Sequence, residues 1–146
     1  MAASFWYRGD YVSTFYSKTD WTASDFYNVA DWERLSSNIE TVVSRLSNLG
    51  ISVKGIYSLE LPRGVYSLPY VSLINKLEKN LQKIYLTLGV PGVFKTWYAV
   101  NDVRYGGNPS FEDWNRWEKL ILEAYNTVTS MSRVEYISNE FYSGEV

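Results

Sequence analysis

The sequence predicts a mainly α fold: a three-helix bundle with an internal helix duplication and a small β element made from the N- and C-terminal segments. Three observations lead there. Three segments carry apolar residues at alternating steps of three and four, the spacing that keeps one stripe on one helix face. The first and third stripes match position by position. The N-terminal segment is rich in Tyr, Phe, Val and Thr and the C-terminal segment is similar, a composition that favours extended backbone. The length of 146 residues suits a single domain over 1–146. Its expected parts are extended arms at 1–20 and 133–146 and helices at about 29–49, 68–88 and 111–131.

The first helix rests on Val29, Trp32, Leu35, Ile39, Val42, Leu46 and Leu49, with Gly50 just past its end. The second rests on Val71, Ile74, Leu77, Leu81, Ile84 and Leu88. Pro69 sits in its first turn, where a missing N–H does no harm, and Gly89 stops it. The stretch "LEKNLQK" in this helix reads as a solvated charged face. The third helix rests on Phe111, Trp114, Trp117, Ile121, Ala124, Val128 and Met131. Up-down packing of the three is the expectation.

The duplication is explicit in the numbering. Every stripe position of the first helix recurs 82 residues later, from Val29 at Phe111 to Leu49 at Met131. Asp31-Trp32-Glu33-Arg34 falls on Asp113-Trp114-Asn115-Arg116, and upstream "KTDWTA" resembles "KTWYAV". Each copy reads as an extended, Trp-bearing strap followed by a capped helix. The terminal fragments "YVSTFYS" and "YISNEFYS" nearly repeat each other. They are expected to pair with each other or with another chain, because a two-stranded ribbon is marginal alone.

Composition excludes several function classes. Neither histidine nor cysteine is present, which removes the commonest neutral-pH general base, thiolate chemistry, disulfides and the usual zinc ligands. Net charge is −2, with no electrostatic footprint for nucleic acid or an anionic membrane. No apolar run has the length of a membrane span, and the opening "MAASFWYRGDY" lacks the form of a signal peptide. Phosphate-binding loops and calcium-type acidic loops are not found. The expectation is a non-enzymatic protein with no cofactor and no metal.

The stretch "FEDWNRWEKLI" has two readings. Ser110 followed by Asp113, like Asn28 followed by Asp31, has the form of a helix cap with an acid three residues on. Arg34 and Arg116 lie three residues after those acids, within pairing reach on the helix surface. Trp32 and Trp114 then point inward. Asn28, Asp31, Trp32, Arg34, Ser110, Asp113, Trp114 and Arg116 are thus assigned to helix starts. The competing reading joins Asp31 and Asp113 as a glycosidase-like carboxylate pair. A cap already commits both acids, so the structural reading is preferred.

Function is sought instead in the aromatic clusters, since 17% of the residues are Phe, Trp or Tyr. Such rings suit interfaces as well as cores. The candidate interface comprises Phe5, Trp6, Tyr7, Tyr11, Phe15 and Tyr16 near the N-terminus. Trp97, Tyr98 and Tyr105 lie before the third helix, and Tyr136, Phe141 and Tyr142 near the C-terminus.

Some of these elements form a wider pattern. Trp21, Thr22, Asp25, Tyr27, Asn28, Asp31, Arg34 and Asn38-Ile39, then Asp113 to Glu118, then Phe141 to Glu145, resemble small structural proteins of tailed phages and prophages of Gram-positive bacteria. The first copy departs from the pattern with Glu33 where the second has Asn115. The resemblance implies a virion protein made in the host cytoplasm, a tail or baseplate adaptor assembling with itself as a homo-oligomer and with other virion proteins. It supplies no catalytic residues. The alternative is a carbohydrate-binding module that presents Tyr and Trp rings to a host-receptor glycan.

Overall fold

The structure, a computed structural model, describes residues 15–61, 71–98 and 109–145, with side chains in the last segment described as far as Met131. Three helices succeed one another: α1 (Val29–Asn48), α2 (Val71–Leu88) and α3 (Phe111–Glu145). Asn28 caps α1 with a reciprocal box. Its side chain accepts from the Asp31 N–H at 3.1 Å, while the Asp31 carboxylate accepts from the Asn28 N–H at 2.9 Å. Gly50 (φ +83°) and Gly89 (φ +73°) end α1 and α2 in the left-handed conformation that glycine adopts without steric cost. The next N–H reaches back in each case, Ile51 to the Leu46 carbonyl at 2.9 Å and Val90 to the Tyr85 carbonyl at 3.2 Å.

The predicted stripes form the core. Trp32, Leu35, Ile39, Val42 and Leu46 of α1 are at most 1% exposed. Ile74, Leu77, Leu81 and Ile84 of α2 and Trp114, Trp117, Ile121, Ala124 and Val128 of α3 are at most 3% exposed. These positions are equivalent in all three helices. Trp32, Ile74 and Trp114 correspond, as do Leu35, Leu77 and Trp117, and Ile39, Leu81 and Ile121. The duplication seen in the sequence is therefore two members of a threefold repeat, in which α2 lacks the Asp-Trp-x-Arg start.

The helices are parallel, which corrects the up-down expectation. Arg34 of α1 meets Glu118 of α3, and further along both helices Arg45 lies 4.7 Å over the Tyr125 ring. Glu78 of α2 meets Arg116 of α3, and further along both the Tyr85 hydroxyl donates to the Leu120 carbonyl at 2.7 Å. Short connections make antiparallel neighbours. Here the connections 49–70 and 89–110 are long enough to travel back along the bundle before the next helix starts.

The returning chain fills the grooves. A first strap (15–21) lies between α1 and α3: Phe15 stacks on Tyr125 at 3.9 Å, and Trp21 reaches Asn115 near the start of α3. A second strap (53–61) lies between α1 and α2: Gly55 sits at Lys83, Tyr57 at Asn80, and the Leu59 carbonyl accepts from the Trp32 indole at 2.8 Å. A third strap (92–98) lies between α2 and α3: Phe94 packs edge-on to Tyr85 at 5.7 Å, and Trp97 reaches Asn75. Each strap runs against the direction of the helices beside it.

The C-terminal arm and the β element differ from what is expected. The expected C-terminal arm at 133–146 is helical through Glu145. The first Gly or Pro after Phe111 is Gly144, so nothing in the sequence stops α3 at 131. Extending an existing helix costs little, and the β preference of Val, Ile and Tyr depends on context and yields to it. No β-strand occurs among the described residues, so the small β element is not found. Residues 1–14 lie outside the described residues, while 15–21 are extended but joined to side chains of the helices rather than to a partner strand.

Trp114 is 1% exposed and packs on Trp21, Tyr27 and Trp117 at ring separations of 5.6, 4.7 and 5.3 Å. Trp114→Ala is expected to cost about 3–5 kcal/mol in urea denaturation; an unchanged midpoint would mean the ring is not part of the core.

Candidate functional site

Two buried carboxylates organise the molecule. Glu78, 2% exposed, sits four residues after Ile74 and three before Leu81, which places it on the apolar face of α2. Glu118, 0% exposed, sits in the same relation to Trp114 and Ile121 on α3. A carboxylate there is tolerable only if its lone pairs are met.

For Glu78 they are. Oε1 accepts from the Lys95 N–H at 3.1 Å and from Arg116 Nη1 at 2.9 Å. Oε2 accepts from the indoles of Trp97 and Trp117, each at 2.9 Å, and from Arg116 Nη2. One turn earlier on α2, Asn75 grips the strap backbone at both polar atoms: its Oδ1 accepts from the Trp97 N–H at 2.7 Å, and its Nδ2 donates to the Trp97 carbonyl at 2.9 Å.

Glu118 repeats the scheme on the first strap. Its Oε1 accepts from the Lys18 N–H at 3.0 Å, and its Oε2 accepts from the Trp21 indole at 2.9 Å and from Arg34. Asn115 binds the Trp21 N–H at 2.7 Å and donates to the Trp21 carbonyl at 2.9 Å. The Ser17 hydroxyl adds a bond to the Glu118 carbonyl at 2.6 Å, and Asn38 of α1 donates to the Tyr16 carbonyl at 2.7 Å. In each clamp the Arg comes from the neighbouring helix. An aspartate one turn before that Arg shares it: Asp31 with Arg34 at 3.0 Å, Asp113 with Arg116 at 3.5 Å. Both guanidiniums leave Nε buried without a hydrogen-bond partner.

The second strap is held differently. The clamp positions correspond on α1 to Glu33 and Ser36, and Leu59 stands where the other straps carry Trp. Asn80 takes the Tyr57 N–H at 2.8 Å and its carbonyl at 2.9 Å. A cleft of about 440 Å³ remains beside Ser36, lined also by Trp32, Glu33, Glu40, Leu59 and Glu60.

Burial raises the proton affinity of Glu78, but the hydrogen bonds from Arg116, Trp97 and Trp117 outweigh it and hold the carboxyl below its ordinary range. Asp113 is likewise lowered: burial opposes, and Lys95, 2.8 Å away, together with the Ser110 N–H, prevails. Desolvation works against the Arg34 and Arg116 cations, yet the bonds to Glu118 and Asp31, and to Glu78, raise both. Burial, then Glu123, pushes the Tyr85 phenol up to about 12.

Trp32 and Trp114 are buried, Asn28 and Asp31 cap α1, and Arg34 and Arg116 pair with their aspartates. At α3 half of the box forms. Asp113 accepts from the Ser110 N–H at 3.0 Å, while the Ser110 hydroxyl contacts the same carboxylate at 3.2 Å. The two arginines are not surface partners: their main bonds run across the grooves to Glu118 and Glu78. The solvated-face reading of "LEKNLQK" is overturned, because Glu78 and Asn80 are buried and carry two straps. Asp31 and Asp113 do not form one carboxylate pair. Each is held by its own arginine and its own helix start.

Among the candidate interface rings, Phe15 and Trp97 pack inward, and Tyr16 and Tyr98 are 58% and 60% exposed. Phe5, Trp6, Tyr7, Tyr11 and Tyr105 lie outside the described residues; Tyr136, Phe141 and Tyr142 lie on α3, beyond its described side chains. Sequence reasoning missed Asn75, Glu78, Asn115 and Glu118. The available signal was the Asn-x-x-Glu repeated at 75–78 and 115–118 with both glutamates inside an apolar stripe. Among the described residues no cluster of acidic side chains could hold a metal ion, and no helix is long and apolar enough to cross a membrane. No protein-family model, curated protein or solved structure matches the chain.

Glu78→Ala removes the acceptor for one cation and three N–H groups, and is expected to destabilise by about 3–5 kcal/mol in chemical denaturation. Asp20→Asn, which breaks the Lys18–Asp20 surface pair at 2.9 Å, is expected to leave the midpoint unchanged. The pH dependence has a definite sign. Glu78 and Asp113 are lowered in the folded chain, so on acidification the unfolded chain takes up protons first. Their contribution is complete above the ordinary carboxylate range and is lost as the pH falls from about 5 through the folded values. Denaturation midpoints measured across that range should fall in the wild type and fall less steeply in Glu78→Gln.

Proposed function

We propose that the chain is a non-enzymatic structural subunit, a tail or baseplate adaptor of a virion that assembles with itself and with other virion proteins. The supporting observation is where the buried charge goes. Glu78, Glu118, Asp113, Arg34 and Arg116 are bound to one another and to the chain's own straps, an arrangement that fixes backbone. Apolar groups lie outward at the loops and at the end of α2 instead, with Phe26 91%, Leu86 73% and Val93 68% exposed. The resemblance in the sequence names the setting, and a rigid scaffold with exposed apolar side chains at its turns suits it.

The glycan-binding alternative has less support. A sugar platform needs open ring faces, and Arg34 lies over the Tyr16 ring at 5.5 Å and Lys83 over the Tyr57 ring at 4.1 Å. Purified protein is expected to give oligomers in solution mass measurements and to co-sediment with assembled particles. A monomer at high concentration, together with its absence from particles, would overturn the reading; binding on a glycan array would favour the alternative.

A further inference from the structure

We infer that the first strap is an exchangeable element, and that the groove between α1 and α3 accepts residues 15–21 of a second copy of this chain. The inference deepens the structural-subunit reading by naming the surface through which copies join. Among the described residues, the second and third straps each run between two helices, whereas all three helices follow the first strap, which is joined to them through residues 22–28. Its contacts lie far off in sequence: Ser17 and Glu118 are 101 residues apart, Trp21 and Asn115 94. Nothing in the chain's connectivity requires that the strap and the α3 beneath it belong to the same molecule.

The groove's chemistry works equally well in trans. Asn115 reads a main-chain N–H and C=O, and Glu118 reads a main-chain N–H and one indole. An identical strap from a neighbour satisfies all of them, so exchange leaves no buried group unpaired. The hinge carries a second observation. Between Trp21 and Tyr27, whose rings are 4.9 Å apart, the chain makes a tight turn, with the Asp25 N–H on the Thr22 carbonyl at 3.0 Å. Phe26, at the end of that turn, is 91% exposed and outside the core cluster. Opened out, residues 22–26 span at most about 17 Å, and two such hinges crossing side by side cover a ring that the closed chain leaves in water. Exchange of identical elements is a low-cost route to closed dimers.

The chain has no cysteine, so introduced thiols report cleanly. Phe15→Cys and Tyr125→Cys are made as separate chains, at the positions whose rings stack at 3.9 Å. They are mixed, denatured and refolded together, then treated with a short thiol cross-linker. The expected product is a covalent heterodimer well above the homodimer background. The double variant Phe15→Cys/Tyr125→Cys should give covalent species larger than one chain. If the double variant closes only within single chains and the mixture yields no heterodimer, exchange is overturned. Such a chain could still assemble through another surface, so the structural-subunit reading would survive. Phe26→Ser supplies a second readout without touching the groove. Its dimerisation constant should weaken at least about tenfold, and an unchanged constant would also contradict the exchange.

Discussion

A carboxylate placed among packed leucines and tryptophans destabilises a fold unless every lone pair is met. That constraint shapes this one. Glu78 and Glu118 sit on the apolar faces of α2 and α3, and what makes them tolerable is the returning chain, which delivers a backbone N–H and an indole to each. The dependence is mutual. The straps have no ladder partners, so their own N–H and C=O groups near the core rely on Asn75, Asn115 and the glutamates. Removing either side leaves the other buried and unpaired.

Such clamps add specificity more than net stability. A hydrophobic replacement of matching volume can equal a buried ion pair in free energy. It cannot choose which extended segment lies in which groove, or in what register. The indole–carboxylate bond does, because only a residue with a long, N–H-tipped side chain at one position reaches Oε2. The groove of the second strap, between α1 and α2, shows the consequence of dropping the device. With Ser36 and Leu59 at the corresponding positions, register is carried by Asn80 and by the Trp32 bond to the Leu59 carbonyl, and a cleft remains.

The core was legible in the sequence and the clamps were not. Stripes at Trp32–Leu46, Ile74–Leu88 and Trp114–Val128 reflect local periodicity, which a single segment displays by itself, as do the cap at Asn28 and the glycine stops. Glu78 looked solvated because "LEKNLQK" is charged, and its partners come from residues 95–97 and 116–117, which no local window contains. Helix direction was missed for the same reason: long connections permit both orders, and the grooves decide. The C-terminal β arm failed where a weak local preference met an unbroken helix without Gly or Pro until Gly144.

The most direct test of carboxylate-held straps is amide hydrogen exchange at Lys18, Trp21, Lys95 and Trp97. All four lie outside regular secondary structure, and all four donate to Asn or Glu side chains of α2 and α3. If the clamps hold the straps as described, these amides and the indoles of Trp21 and Trp97 exchange as slowly as the helix core, opening only with global unfolding. Exchange at the rate of an open loop, with the helices still protected, would contradict it.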